Sequence, residues 1–484
     1  MGQDVAVHWR RLEALAQEHR NRDPAGYAND LSQALRVGGL TLDWTLQRID
    51  KTVLRALCEF LNAMQAQKRL QQQFAGEKVN TTANQGALHS AMRGTLTASK
   101  PFNEEVLEGQ QSVMQFAEDV LVGSRCSYCG KPFTDVLHIG IGGSHLGQSF
   151  LTDAFSSTRL KIHYLSNSLP NQIENTLAAL DPRNTLVIVA SKSFSTPETL
   201  HNYRRVQTWF AENTSDQGAI ACNVVLITSN HERVVHEPGE HFLIPKEVGG
   251  RFSIWSAMGL PALLAMGPKR YRAFCEGAFD MDTHVMQGEP SQNAAIMLAL
   301  LEVWNTNFLR VANRAVLPYC SELRQLPAYL QQLEMESLGK TPQPGNGLPP
   351  HHTIPLVWGG EETNAQHAFH QWLHQGTHAF VVDFIALANA NRWHLANCLA
   401  QREALFYGHL NDDAPQKSLR GGHGSTLILL DSCDAKTVGS LIALYEHKTA
   451  LLGYLWEVNP FDQEGVEYGK VSATAIYERL ELAK

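Results

Sequence analysis

Four short apolar runs, DVLHIGIGG (135–143), LKIHYLS (160–166), TLVIVASKS (185–193) and VVLITSN (224–230), alternate with stretches of helical spacing. Strands that are apolar on both faces belong inside a sheet, with a helix layer over each side. Parallel neighbours also need a crossover connection, for which a helix is the usual solution. The alternation therefore predicts a parallel, doubly wound sheet. A second series follows: a helix over 328–338, the run IPLVWGG (354–360), a helix over 363–375, and the runs HAFVVDFIAL (378–387) and STLILLD (425–431). We read an α/β chain of two α/β units, bridged by a long helical stretch over 271–311. The first hundred residues read mostly helical, with Leu12, Leu15 and Ala16, then Leu54, Leu57, Cys58 and Leu61, at three and four spacing. The expected division is a helical region over 1–110, a first α/β unit over 111–270, and a second over 271–484 that carries the C-terminal helices.

Composition narrows the function classes. A hydrophobic share of 44% against 18% charged residues supplies large cores and excludes wholesale disorder. The net charge of −8, without any block of Lys or Arg, excludes a polyanion-binding surface, so nucleic acid is not an expected partner. Asp4, Arg10 and Arg11 interrupt the start, where a secretory signal needs an unbroken apolar run. The most apolar stretch, 252–267, contains Ser253, Ser256 and Pro261 and falls short of the roughly 18 residues of a membrane span. A cytoplasmic protein without membrane contact is expected. Eight cysteines are too sparse for a disulfide scaffold and fit thiols in a reducing compartment. Cys126 and Cys129 have CxxC spacing, but no second pair follows at zinc-finger distance and the pair precedes a turn, so a plain loop is expected.

Several segments hold residues suited to chemistry. After the first strand comes Gly140-Ile141-Gly142-Gly143-Ser144, a glycine-rich junction that lets backbone approach an anionic ligand. Gln148 stands where a nucleotide-binding P-loop needs Lys, and His145 where a dinucleotide fingerprint needs Gly, so neither ATP nor NAD is supported. The strand TLVIVA runs into Ser191-Lys192-Ser193-Phe194-Ser195-Thr196-Pro197, with Thr196 read as helix cap and Pro197 as the first helical residue. Hydroxyls beside a helix start make a cradle for a monophosphate, or simply a well-capped helix. Arg251, after Gly249 and Gly250, either stabilises an oxyanion or forms a structural ion pair. Glu334 and Glu336 lie about 200° apart on a helix, so if one is catalytic the other points away. His367, His370, His374 and His378 invite a metal reading, but HExxH is absent, and one functional histidine is preferred. Lys470 and Glu467, three apart on a final helix, read as a surface pair when taken alone.

Taken in order, NTTANQGALHSAMR, TDVLHIGIGGSHLG, VASKSFSTPET, VGGRFSIWSAMGL, QQLEMESLGK, TNAQHAFHQWLHQGT and NPFDQEGVEYGK resemble the glucose-6-phosphate isomerase (phosphoglucose isomerase) family over about 80–470. The resemblance implies two sugar-isomerase α/β/α sandwiches, a homodimer, no metal or organic cofactor, and the interconversion of glucose 6-phosphate and fructose 6-phosphate. It also leaves room for a broader enzyme acting on mannose 6-phosphate, or for a sugar-phosphate sensor. Moving a proton between C1 and C2 through an enediolate needs one carboxylate and one fixed cation. By the family pattern these are Glu336 and Arg251. Ring opening falls to His367, supplied by the partner subunit and held by Glu198, and to Lys470. Ser191, Lys192, Ser193 and Thr196 would hold the phosphate, Gly142, Gly143 and Ser144 would line the sugar, and Gln332 and Gln463 would be polar contacts. Leu338, Ser193 and Ser195 depart from the usual pattern, as does Glu362, where an added carboxylate is expected to weaken phosphate affinity.

Overall fold

Both series of apolar runs form sheets in the computed structural model, which describes residues 2–20, 22–27, 34–94, 100–156, 159–216, 218–342, 348–389 and 391–482. An opening helix, Gly2–His19, is followed by a hairpin of β1 (Leu35–Val37) and β2 (Leu40–Asp43). Gly38 and Gly39 take φ of +55° and +76° at its turn, a backbone that glycine adopts without strain and that matches the twist of a two-residue hairpin. This hairpin lies within the stretch that helical spacing alone describes as mostly helical.

The first sheet holds β3 (Asp135–Ile139), β4 (Lys161–Leu165), β5 (Thr185–Ala190), β6 (Val224–Thr228) and β7 (Glu240–Leu243), all parallel, in the order β4-β3-β5-β6-β7. Every residue of β5 is buried, as expected of a strand covered on both faces. The second sheet runs β1-β2-β11-β10-β8-β9, adding β8 (Asn313–Tyr319), β9 (Leu356–Gly359), β10 (Phe380–Leu387) and β11 (Ser425–Leu430). Its last four strands are mutually parallel, and β2 joins β11 antiparallel. The α/β reading with parallel-rich sheets holds. Beyond the predicted strands stand the hairpin, the edge strand β7, and β8.

β8 hides a cation. Arg314 is buried within it, with Nε 2.9 Å from Glu302, Nη1 2.7 Å from Asp383, and Nη2 on Glu334. Lys448 joins the same cluster at 2.8 Å from Glu302 and 3.2 Å from Glu334. A buried charge is tolerated only when paired in this way.

The stretch 271–311, expected to bridge the two units, holds most of the helix Pro268–Gln287 and all of Ala294–Val303, the second buried at every position. One continuous apolar core joins Val136, Ile188 and Val225 of the first sheet to Val316, Ile385 and Ile428 of the second. Each fully buried aliphatic side chain there contributes ~1.5–3 kcal/mol. Among the described residues, no helix is long and apolar enough to cross a membrane.

Candidate active site

The order β4-β3-β5-β6-β7 places one crossover to the left of β3 and the following ones to its right, so the carboxyl ends of β3 and β5 flank a topological switch point. Doubly wound sheets bind ligands in that crevice. The two loops that end there are the glycine turn 142–144 and the hydroxyl-rich 191–196.

In the second loop, Pro197 opens the helix Pro197–Asn213, and Thr196 precedes it. Thr196 takes the cap position read from the sequence, but its side chain makes no capping hydrogen bond; its hydroxyl lies 3.3 Å from Ser191 Oγ instead. Ser193 and Ser195 share a hydrogen bond of 2.7 Å. The helix start therefore keeps backbone donors available for an anion. Lys192 Nζ donates to the Lys246 carbonyl at 2.8 Å. Burial lowers its pKa, Glu247 opposes that, and Arg251 lowers it further, which places two cations within electrostatic reach of each other.

The glycine turn meets a second turn, Gly250–Trp255, at van der Waals limits: a Cβ on Gly143 would stand 2.3 Å from the Gly250 carbonyl carbon. Only glycine permits this approach, which brings Arg251 beside the 142–144 loop. Ser144, buried behind it, accepts through its carbonyl oxygen from His138 Nε2 at 2.7 Å. Burial drives the His138 pKa down to about 4, so the ring is a neutral donor.

Arg251 is itself buried, and burial lowers its pKa while Glu336 and Asp462 counter that. Nε donates to Ser337 Oγ at 2.6 Å, Nη1 to Gln463 Oε1 at 3.0 Å, and Nη2 to the carbonyls of Pro460 and Asp462 at 2.7 and 2.8 Å. A guanidinium has about five N–H donors, and among the described residues these partners take four of them. The fifth belongs to Nη1, the nitrogen 3.6 Å from Glu336 Oε2.

Glu336 comes from the helix Leu326–Leu338, where Gln332, one turn earlier, donates to Glu336 Oε2 at 3.1 Å. Its side chain is 25% exposed, so it opens to the cleft while touching the buried cation. A Cβ on Gly142 would lie 3.0 Å from Gln332 Nε2, which closes the ring of residues around the crevice. Gly142, Gly143, Arg251, Gln332, Glu336 and Gln463 are thus brought together.

Of the groups that hold Arg251, sequence reasoning named Gln463 but missed Ser337 and the Pro460 and Asp462 carbonyls. Ser337 follows Glu336 directly, while Lys340 latches the 459–462 loop by donating to the Asn459 carbonyl and, at 2.8 Å, to that of Asp462. The signal for Lys340 was its place in QQLEMESLGK; that for the Pro460 carbonyl was absent, because backbone acceptors leave no trace in composition.

Other expected residues stay apart within one chain. His367 is exposed at the end of the turn Asn364–His367, Glu198 is exposed in the first turn of the helix Pro197–Asn213, and no hydrogen bond joins them. Lys470 lies on the helix Glu467–Leu482, with its side chain outside the described residues. Glu362, expected to weaken phosphate affinity, has a fully buried side chain, with Oε1 2.6 Å from His370 Nε2. A partner eight residues along the chain draws the carboxylate inward, away from solvent. His370 and His374 share Gln401 Oε1 at 3.3 and 2.7 Å, while His378 stacks on Trp372.

The family profile described as Phosphoglucose isomerase matches residues 43–484. The glucose-6-phosphate isomerase of Pseudoalteromonas translucida is 37% identical over 98% of this chain and 94% of its own length. The glucose-6-phosphate isomerase 2 of Cupriavidus pinatubonensis is 38% identical over the same shares, 98% and 94%. Among solved structures, a glucose-6-phosphate isomerase from Chlamydia trachomatis superposes with a TM-score of 0.89 at 28% identity, covering 98% of this chain and 96% of that one.

Proposed function

This chain belongs to the phosphoglucose isomerase family, and on that premise we propose a role for each residue of the crevice. The protein interconverts glucose 6-phosphate and fructose 6-phosphate, an aldose–ketose isomerisation. Such a reaction takes a proton from one carbon and returns it to its neighbour, with negative charge resting on two oxygens in between.

Glu336 is the base. It removes the proton at C2 of the aldose and returns it at C1, and the reverse direction uses the same group. Arg251 holds the enediolate oxygen through its remaining Nη1 donor. The observation that carries this reading is the 3.6 Å approach of Arg251 Nη1 to Glu336 Oε2, a part-exposed carboxylate beside a cation fixed by four other bonds. Preorganisation of that kind avoids reorientation as charge develops. Ser191, Lys192, Ser193 and Thr196 hold the phosphate at the helix start; Gly142, Gly143 and Ser144 line the sugar; Gln332 and Gln463 orient hydroxyls.

Ring opening is a separate proton transfer between ring oxygen and anomeric hydroxyl. We assign it to His367 and Lys470, with Glu198 setting the tautomer of the imidazole. The exposure of both His367 and Glu198 in a single chain supports a homodimer in which the partner subunit's His367 meets Glu198 of this one. The working compartment of this reading is the cytoplasm.

The experiment is a coupled assay with fructose 6-phosphate, reading glucose 6-phosphate, in excess chelator and in solvent deuterium oxide. Turnover with solvent deuterium entering C2 supports the carboxylate shuttle. Turnover that vanishes with chelator, or fructose 6-phosphate binding without turnover, overturns it.

A further inference from the structure

Away from the crevice, the six-stranded sheet gathers a second cluster at the carboxyl ends of two strands. Cys320 follows β8 directly, and Cys433 stands three residues after β11. β8 and β11 both run parallel to β10 between them, so their following loops emerge on the same edge. Cys320 Sγ lies 2.9 Å from Glu322 Oε2. The two sulfurs and one carboxylate oxygen are all within 4.8 Å of one another, and no other such group of three occurs among the described residues. Cys320 is buried, Cys433 half-buried and Glu322 exposed, so the group has an inner anchor and an open side.

We propose that Cys320, Glu322 and Cys433 form a binding site for a thiophilic divalent cation of the zinc(II) type, with water in the fourth position. Two sulfurs and one oxygen suit a borderline-soft ion and disfavour magnesium or calcium. Binding releases the two thiol protons and moves no electrons. Two thiolates and a carboxylate then face the dication, one ligand in excess of neutrality.

The same pair of sulfurs invites comparison with a disulfide, and the carboxylate decides between them. A disulfide has no use for the carboxylate. A dication gives all three donor atoms one common partner, and the two loops already hold them within 4.8 Å of one another.

The site sits on the connection into the helix Leu326–Leu338, but it uses none of the residues assigned to the crevice. The test stays separate from the isomerase assay. Purified protein, stripped with chelator and held under reductant, is dialysed against zinc(II) and analysed for retained metal; cobalt(II) is added in parallel to read thiolate charge-transfer bands. One equivalent per chain with such bands is expected, absent in Cys320→Ser/Cys433→Ser and kept in Cys126→Ser/Cys129→Ser. Glu322→Gln should weaken retention at least as much as loss of an outer-shell partner does, about 10- to 100-fold. Unchanged isomerase activity in the double serine variant shows that it is folded. Retention unaffected by that variant, or no retained metal in the parent, overturns the proposal. So does a Cys320–Cys433 disulfide that forms on addition of oxidised glutathione when zinc(II) is present in excess.

Discussion

Glu334 and Glu336 stand two residues apart on one helix and serve opposite sides of it: Glu334 is sealed against Arg314 and Lys448, whereas Glu336 reaches the cleft 3.6 Å from Arg251. The helix is thereby clamped from behind by an ion cluster and armed in front by a carboxylate. The rotation of about 100° per residue makes this division unavoidable for any pair spaced by two.

The first prediction separates the two glutamates. Glu336→Gln should abolish isomerisation while leaving thermal stability and fructose 6-phosphate binding close to the parent. Glu334→Gln should do the reverse, costing ~3–5 kcal/mol by leaving buried cations underpaired, with activity retained in the folded fraction. Denaturant titration beside the coupled assay reads both. Loss of binding in Glu336→Gln would make that residue a ligand contact in place of the base.

Arg251→Lys keeps the charge and loses the fork. Four bonds that fix the guanidinium need its planar geometry, so a lysine cannot both anchor the 459–463 loop and face the enediolate. We expect kcat to fall about 10²–10³-fold, the usual loss for one oxyanion donor, with a smaller change in KM. Steady-state kinetics decide it; a pure KM effect would move Arg251 from the chemistry to substrate binding.

Much of this arrangement is legible in the residues, for reasons that can be named. The strand β5 reads as a buried strand because all six of its residues are apolar or hidden, and Pro197 marks the helix start that follows. The hairpin β1–β2 had a signal that went unread: Leu-Arg-Val and Leu-Thr-Leu-Asp flank Gly38-Gly39, a two-residue turn signature. β8 was hidden for a different reason. Arg314 and Pro318 break the apolar pattern, and only the acidic partners from three other elements make Arg314 a core residue. Glu362 shows the limit most clearly, because residue type reveals that a carboxylate is present but not which way it turns.

Glu362 yields the third prediction. Its carboxylate is enclosed with His370 at 2.6 Å, so Glu362→Gln should leave KM for fructose 6-phosphate within about twofold while lowering stability by ~1–3 kcal/mol through the weakened buried bond. Thermal melts and kinetics measured on the same sample give both numbers. A lower KM in the variant would mean that the carboxylate does oppose the phosphate.

Lys192 sets a pH dependence whose sign follows from its surroundings. Burial, reinforced by Arg251 and opposed by Glu247, depresses its pKa, so the charge proposed to hold the phosphate disappears at lower pH than an ordinary lysine would show. KM should therefore rise on the alkaline side, starting below the usual lysine range. Bound phosphate favours the charged form and lifts the pKa again, so the limb belongs to kcat/KM and not to kcat. Lys192→Gln should raise KM on the order of 10- to 100-fold, matching the ~1.5–3 kcal/mol of a charged hydrogen bond, and should flatten that limb. An unchanged alkaline limb in the variant assigns it elsewhere.

The proposed sharing of His367 between subunits makes a prediction that a single-chain site cannot meet. Glu336→Gln and His367→Ala are each expected to be inactive as homodimers. In a mixed dimer, the site built on the His367→Ala chain keeps its own Glu336 and receives the intact His367 of the Glu336→Gln chain, so one of the two sites is whole. Random pairing after co-refolding then restores roughly a quarter of parental activity. If His367 instead served the crevice of its own chain, both sites of the mixed dimer would lack one essential group and no activity would return. The exposure of Glu198 and His367 in the isolated chain favours the first outcome, because a carboxylate that orients a histidine must reach it, and within one chain no hydrogen bond does.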